Sequence, residues 1–153
     1  MDSREQLFVK LELQNLLMEY WNDVDTNWGR NAHDYYTDDG VFAGSAGASY
    51  HGKEKIKQFY QWRVDRGPRL AVHAVSNFRA TFESDTRALC TWYLLLYAAD
   101  GKPVLPSNPP ISIALVTDTC VRGADGKWRY AYRQFKPLFQ GAVPPTNPNL
   151  DDK

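Results

Sequence analysis

Arg69 to Ala98, RLAVHAVSNFRATFESDTRALCTWYLLLYA, decides the fold. Apolar and polar residues alternate from Leu70 to Phe82, Glu83-Ser84-Asp85 supplies turn chemistry, and Arg87 to Ala98 resumes the extended pattern. That sequence of signals predicts a long β-hairpin. Its second arm is apolar at both parities, with Cys90, Trp92, Leu94 and Leu96 alternating with Leu89, Tyr93, Leu95 and Tyr97. A strand apolar on both faces needs cover on both. Toward the C-terminus, Asp100-Gly101-Lys102 and the proline-rich loop from Pro103 to Pro110 lead into a third strand, Ile111 to Val121, and Gly123 to Gly126 turns into a fourth, Lys127 to Phe135. Residues 1–139 read as one domain and 140–153 as a proline-rich tail, in which Pro144, Pro145 and Pro148 oppose regular structure.

Toward the N-terminus the period changes. Ser3 followed by Gln6 fits a capping box and predicts a helix start. Leu13, Leu16, Leu17, Tyr20, Trp21 and Val24 then recur at three- and four-residue spacing, a stripe for the interior that places Asp25 at the helix end. A second, shorter helix is expected from Asn27 through Ala32 to Tyr36, then a turn at Thr37-Asp38-Asp39-Gly40 and a short strand at Val41-Phe42. Gly52-Lys53-Glu54 opens a third helix with Ile56, Phe59, Tyr60 and Val64 inward, closed by Gly67-Pro68. The expected fold is α+β, a strongly curved antiparallel sheet wrapped around three N-terminal helices to enclose a cone-like pocket. Three helices cover only one sheet face, so the other is expected to meet a second copy of the chain, making a homodimer or higher homo-oligomer.

Composition narrows the function classes. The 153 residues suit one domain, and 43% hydrophobic with 24% charged residues excludes disordered and collagenous chains. Eighteen basic against eighteen acidic residues leave no net charge, which removes the electrostatic footprint of a nucleic-acid or anionic-membrane partner. Cys90 and Cys120 lie in apolar β-like stretches, and no secretory signal pattern follows Met1, so free buried thiols in a cytoplasmic protein are expected. The longest apolar run falls well short of the roughly 20 residues needed to span a bilayer. No phosphate loop, nucleophile elbow or Cys-x-x-Cys pair occurs. His33 and His51 do not pair at metal-ligating spacing, so neither metal nor cofactor is expected.

Four segments in order, Tyr20 to Asp25, Tyr36-Thr37-Asp38-Asp39-Gly40-Val41-Phe42, His73-Ala74-Val75-Ser76-Asn77 and Asp125-Gly126-Lys127-Trp128-Arg129, resemble the SnoaL-like branch of the NTF2-like superfamily. The resemblance runs to about Phe139 and implies the cone fold. It leaves the chemistry open, since this superfold hosts dehydratases, isomerases, polyketide cyclases, ring-hydroxylating dioxygenase small subunits and binding proteins.

Within that superfamily Asp25 and His73 resemble the aspartate and histidine that scytalone dehydratase sets at its pocket floor. A carboxylate can hold an imidazole in one tautomer and free the other nitrogen to carry a proton. Tyr20 falls where the related ketosteroid isomerase carries its oxyanion-stabilising tyrosine. The chain departs from both relatives at Gly44, which replaces the isomerase's aspartate and the dehydratase's water-orienting tyrosine. The dehydratase's second histidine also has no counterpart near Tyr97 and Ala98, where Tyr97 could donate instead. The resemblance therefore implies His73 as general acid/base, Asp25 as its orienter and Tyr20 or Tyr97 polarising a substrate oxygen.

Trp21, Trp28, Tyr50, Phe59, Trp62 and Trp92 are candidate walls for a flat aromatic substrate. Asn77 shares strand parity with His73 unless a bulge intervenes, and Arg129 and Arg133 share parity on the last strand, where a cross-sheet salt bridge competes with anion binding. The expected activity is a cofactor-independent lyase, by dehydratase-like elimination, or an isomerase, on a small aromatic or polycyclic molecule. A polyketide cyclase-like enzyme, a non-catalytic small-molecule binder and a dioxygenase small subunit are the alternatives.

Overall fold

A long first helix, α1 (Ser3–Asn27), leads the chain. Its cap lies one residue before the expected one. Asp2 Oδ1 accepts from the amides of Arg4 and Glu5 at 2.9 and 2.8 Å, and Glu5 Oε2 accepts from the Asp2 amide at 2.8 Å. Two overlapping serine- and aspartate-led templates compete here, and the one with carboxylates at both corners prevails, as a negative charge suits a helix N-terminus. The buried stripe Val9, Leu13, Leu17, Tyr20, Trp21 and Val24 has the expected spacing.

The computed structural model describes residues 1–45, 47–143, 148 and 150. Among these the second expected helix is absent: the stretch after α1 is only a short 3-10 turn, Ala32–Tyr35. Asp23 explains the difference. Its buried carboxylate accepts from Asn27 Nδ2 at 2.8 Å, from the Asn31 amide at 3.0 Å and from Asn31 Nδ2 at 3.3 Å, closing the chain back on α1 before a new helix can start. Thr37 to Gly40 are not a turn but the first half of strand β1 (Tyr36–Ala43), which carries a register break between Tyr36 and Val41. The short strand β2 (Ser49–His51) and helix α2 (Lys53–Asp65) follow.

The meander is β3 (Arg69–Ser84), β4 (Arg87–Asp100), β5 (Ser112–Arg122) and β6 (Trp128–Gln140). Six strands form one sheet in the order β2-β1-β6-β5-β4-β3, antiparallel except where β1 runs parallel to β6. The architecture is therefore α+β with two helices and a short 3-10 turn rather than three helices.

Two of the sheet's register shifts re-aim the side chains that matter for the site. Between Ser76 and Arg79 the β3–β4 register shifts, and Asn77 takes a left-handed φ of 55°. Between Thr119 and Cys120 the β5–β6 register shifts as well, so Arg129 and Arg133 lose their shared parity. Arg129 ends on Asp125 at the surface, with a 2.7 Å ion pair, whereas Arg133 enters the core. The inner sheet face and the helices bury one core containing Trp92, Tyr36, Tyr130, Leu13 and Ile56. Cys90 and Cys120 are free thiols inside it, their sulfurs 3.9 Å apart. Pro144 and Pro145 of the expected tail lie outside the described residues.

Candidate functional site

Trp21 and Asp25 sit one turn apart on α1, so the helix offers an indole and a carboxylate from one face. Strand β3 is an edge strand, and half of its amides face away from β4. The His73 amide is one of these and donates to Asp25 Oδ2 at 2.9 Å, while His73 Nδ1 meets Asp25 Oδ1 at 2.6 Å. One carboxylate thus grips both the backbone and the ring of one residue. The imidazole lies flat on the Trp21 indole, with centroids 4.0 Å apart and planes 5° from parallel. Three contacts therefore set the ring's position and tilt, and Nε2 is left without a hydrogen-bond partner among the described residues.

The electrostatics favour an uncharged ring. Burial lowers the His73 pKa from its ordinary 6.5, Asp25 pulls it back up, and the nearby guanidinium groups of Arg63 and Arg133 lower it further, for a net decrease. At neutral pH the imidazole is neutral. Asp25 accepts the Nδ1 proton, and Nε2 keeps a lone pair.

His73 lines a cavity of about 50 Å³ whose walls include Trp21, Phe42, Phe59, Tyr60 and Leu94. So small a space holds a few water molecules and accepts a single-ring ligand only with side-chain adjustment. Tyr60 is the phenol at this wall, and behind it stands a row of hydroxyls. Tyr20 Oη is hydrogen-bonded to Tyr60 Oη, and to Tyr36 Oη at 3.0 Å. Burial pushes the Tyr60 and Tyr20 phenols well above their ordinary pKa, so both remain protonated. Tyr60 is held from behind by Gly29, where a Cβ would lie 2.3 Å from the Tyr60 ring. Only glycine fits at that approach, and its φ of 70° suits no other residue well.

Beneath the site lies a buried ion pair. Arg133 Nε and Nη2 donate to Asp118 Oδ1 and Oδ2 at 2.7 and 2.9 Å, and Trp92 Nε1 donates to Asp118 Oδ2 at 2.8 Å. Both partners are almost fully excluded from solvent, Arg133 at 0% and Asp118 at 1% exposure. The guanidinium sits against the Tyr130 and Tyr20 rings, 3.9 and 4.5 Å from their centroids, and so supports the floor on which Trp21 rests. Of the two readings open for Arg133, the cross-sheet salt bridge is the one formed.

The structure brings together Asp25, His73 and Trp21 and separates the other expected site residues from them. Tyr20 is fully buried in the hydroxyl row and reaches the cavity only through Tyr60. Tyr97 pairs with Val72, one position out of step with the His73–Leu96 pair, and therefore lies on the opposite, exposed sheet face. Asn77 is turned outward by its bulge. Trp28 is the left-handed C-cap of α1 and partly exposed. Trp92 is buried against Trp21 and Asp118, Tyr50 stacks behind Phe59 at 4.4 Å, and half-buried Trp62 does not line the cavity. Phe59 does line it. Sequence reasoning passed over Tyr60 as a polar wall residue, together with Arg63, Arg69 and Ser112. Only the strand register, which pairs Leu96 with both His73 and Ser112, would have exposed the last of these. Among the described residues, no cluster of three His, Cys, Asp or Glu side chains could hold a metal ion, and no helix is long and apolar enough to cross a membrane.

A family model described as a SnoaL-like domain matches residues 5–134. Among solved structures, a candidate scytalone dehydratase from Novosphingobium aromaticivorans superposes with a TM-score of 0.80 at 18% identity, covering 97% of this chain and 96% of that one. ActVI-ORFA from Streptomyces coelicolor gives 0.73 at 20% identity, covering 85% and 98%. A Catenulispora acidiphila protein in complex with S-DNPA gives 0.69 at 24% identity, covering 86% and 94%. At these identities the similarity establishes the shared fold. No curated protein matches.

Proposed function

We propose, since the chain belongs to the SnoaL-like domain family, that it is a cofactor-independent lyase of dehydratase type acting on a small aromatic molecule with a hydroxyl group β to a carbonyl. The observation that carries this reading is the His73–Asp25 pair at the cavity wall, with a neutral ring and Nε2 left unpartnered. Nε2 removes the proton from the carbon between carbonyl and hydroxyl, and the electron pair moves into the carbonyl to make an enolate. Tyr60 donates to that oxygen, drawing in turn on the proton that Tyr20 can supply from behind, so Tyr20 is a positioning residue rather than a direct donor. As the enolate collapses, the β-hydroxyl leaves as water with the proton returned from the imidazolium. Asp25 stabilises the positive ring between the two transfers. Every group in the scheme belongs to the chain.

The candidate scytalone dehydratase that shares this fold accords with the reading, as does an aromatic-walled cavity that side-chain adjustment would open to one ring. The test is to incubate the protein with single-ring β-hydroxy ketones in D2O. Deuterium exchange at the α-carbon and appearance of the conjugated ketone are followed by proton NMR. Exchange with elimination supports a lyase, and exchange without elimination moves the assignment to an isomerase or cyclase. No exchange above the buffer rate would leave a binding protein.

We further propose that two copies meet through the outer sheet face. Val72, Leu89, Tyr93, Tyr97 and Tyr132 are exposed there, Leu115 lies beside Tyr93 across the β4–β5 ladder, and Lys136 is the charge next to Leu115. Arg79, beside Thr91, and Arg87 at the edge add charge to this face, and the exposed aromatic and aliphatic side chains around them suit an isologous contact with a second copy. Sedimentation velocity at micromolar concentration should report about twice the 17.5 kDa chain mass, and Tyr93→Lys should return it to the single-chain value. A single-chain value for the unaltered protein would contradict the pairing.

A further inference from the structure

The cavity wall carries two guanidiniums, Arg63 and Arg69, and no carboxylate. Asp25 is hidden behind His73. Asp100, the other acid nearby, is already forked by Arg66, whose Nη1 and Nη2 donate to its two oxygens at 3.0 and 3.3 Å. Arg69 adds a single bond from Nη1 to Asp100 Oδ1 at 3.2 Å. Its Nη2 is buried with no partner, on a side chain only 10% exposed. Two more wall residues hold buried, unpartnered polar atoms, Trp21 Nε1 and Ser112 Oγ. A buried donor without an acceptor costs about 1–3 kcal/mol, so each such group favours an occupant that accepts. Arg and Trp nitrogens can only donate, and a serine hydroxyl can donate as well. The occupant that matches this wall is rich in acceptors and negatively charged.

We propose that the cavity binds an aromatic carboxylate, whose acid group is held by Arg69 and Arg63 while its ring lies among Phe42, Phe59 and Leu94 beside His73. The inference rests on the proton-transfer reading only for which end of the ligand reacts. A carboxylate is planar and small and pairs edge to edge with a guanidinium. Arg69, Ala71 and His73 occupy successive same-face positions of β3, so Arg69 and His73 stand roughly 13 Å apart along the strand. With both side chains leaning into the space between, a one-ring acid bridges the two. Arg63 approaches from α2, its guanidinium over the Phe59 and Tyr60 rings at 6.0 and 5.7 Å. No carboxylate pairs with it among the described residues.

Isothermal titration of the full chain with benzoate, and with the neutral isostere benzamide, tests the proposal. Benzoate should bind at one site at least about tenfold more tightly than benzamide. Arg69→Gln and Arg63→Gln should each remove most of that preference by weakening benzoate far more than benzamide, and Arg69→Lys should keep part of it. Arg63→Gln breaks no ion pair among the described residues, so its result stands even if Arg69→Gln disturbs the Asp100 cluster. His73→Asn should retain benzoate binding within about twofold, which separates this site from the catalytic reading. Equal affinity for the two probes, no benzoate binding, or an undiminished preference in both glutamine variants would overturn the proposal.

Discussion

His73→Asn is expected to slow α-carbon exchange and elimination by about 10²–10⁴-fold, the usual contribution of a positioned acid/base group, with little change in the thermal midpoint. The fold should survive because the histidine's hold on α1 is only partly through its ring. The residue 73 amide still donates to Asp25 Oδ2, and an asparagine Nδ2 can replace the Nδ1–H that Asp25 Oδ1 accepts. What the amide cannot do is accept and release a proton near neutral pH. Loss of stability with retained turnover would reverse the assignment and make His73 a structural strand residue. Asp25→Asn should slow turnover by a comparable factor, because an asparagine offers one acceptor where Asp25 offers two, and its amide nitrogen facing Nδ1 moves the ring proton to Nε2, the atom that must take the substrate's proton.

Asp118→Ala should be the most destabilising single substitution, by about 3–5 kcal/mol, read as a lowered urea midpoint. The cause is the guanidinium left behind. Arg133 is fully buried, and burial alone would work against its charge, but Asp118, with Tyr36 and Tyr130, outweighs that and holds its pKa well above the ordinary value. Without the carboxylate the positive charge has only the faces of aromatic rings beside it, those of Tyr130, Tyr20, Trp92 and Trp21, and Trp92 loses its acceptor. Replacing both partners, with Asp118→Leu and Arg133→Met together, should recover most of the loss, because a buried ion pair contributes little beyond an apolar pair of like volume. A loss from the double change larger than from Asp118→Ala would refute this account of the floor. Activity is a second readout. Arg133 supports Tyr20 and Trp21, so the double variant should fold yet bind and turn over less well.

What could be read without coordinates follows from the range of the forces involved. Period-two alternation in Arg69 to Ala98 and the Leu13-to-Val24 stripe are local consequences of burial, and strands and helix appear where they predict them. The two failures in the N-terminal half are contests between local options. Asp2-Glu5 displaced Ser3-Gln6 by one residue, and Asp23 drew the following amides into a turn that a helix pattern alone would not foresee. The bulges matter more for the site. Parity arguments placed Asn77 beside His73 and Arg129 beside Arg133, and each pair is split by one extra residue whose presence no spacing rule reveals.

The site itself was legible in two parts. Forty-eight residues separate Asp25 from His73, and only family resemblance suggested that they meet. Nothing local does so. Trp21 could be added from helix geometry, being one turn from Asp25. Tyr97 faced the wrong way because register, not composition, decides which of two adjacent strand residues looks inward. Arg69 and Ser112 are ordinary strand-end residues in sequence and become notable only because Arg69 Nη2 and Ser112 Oγ are buried without partners.

The central claim is that His73 is a ring kept neutral by burial, with its proton held on Nδ1 by Asp25 and a lone pair left on Nε2. Nitrogen-15 NMR of the histidine-labelled protein, titrated from neutral to acid pH and assigned by His73→Asn, measures this directly and needs no substrate. The account predicts an Nδ1–H tautomer at pH 7 and a midpoint below 6.5, since burial outweighs the carboxylate. An Nε2–H tautomer, or a ring already charged at neutral pH, would contradict it.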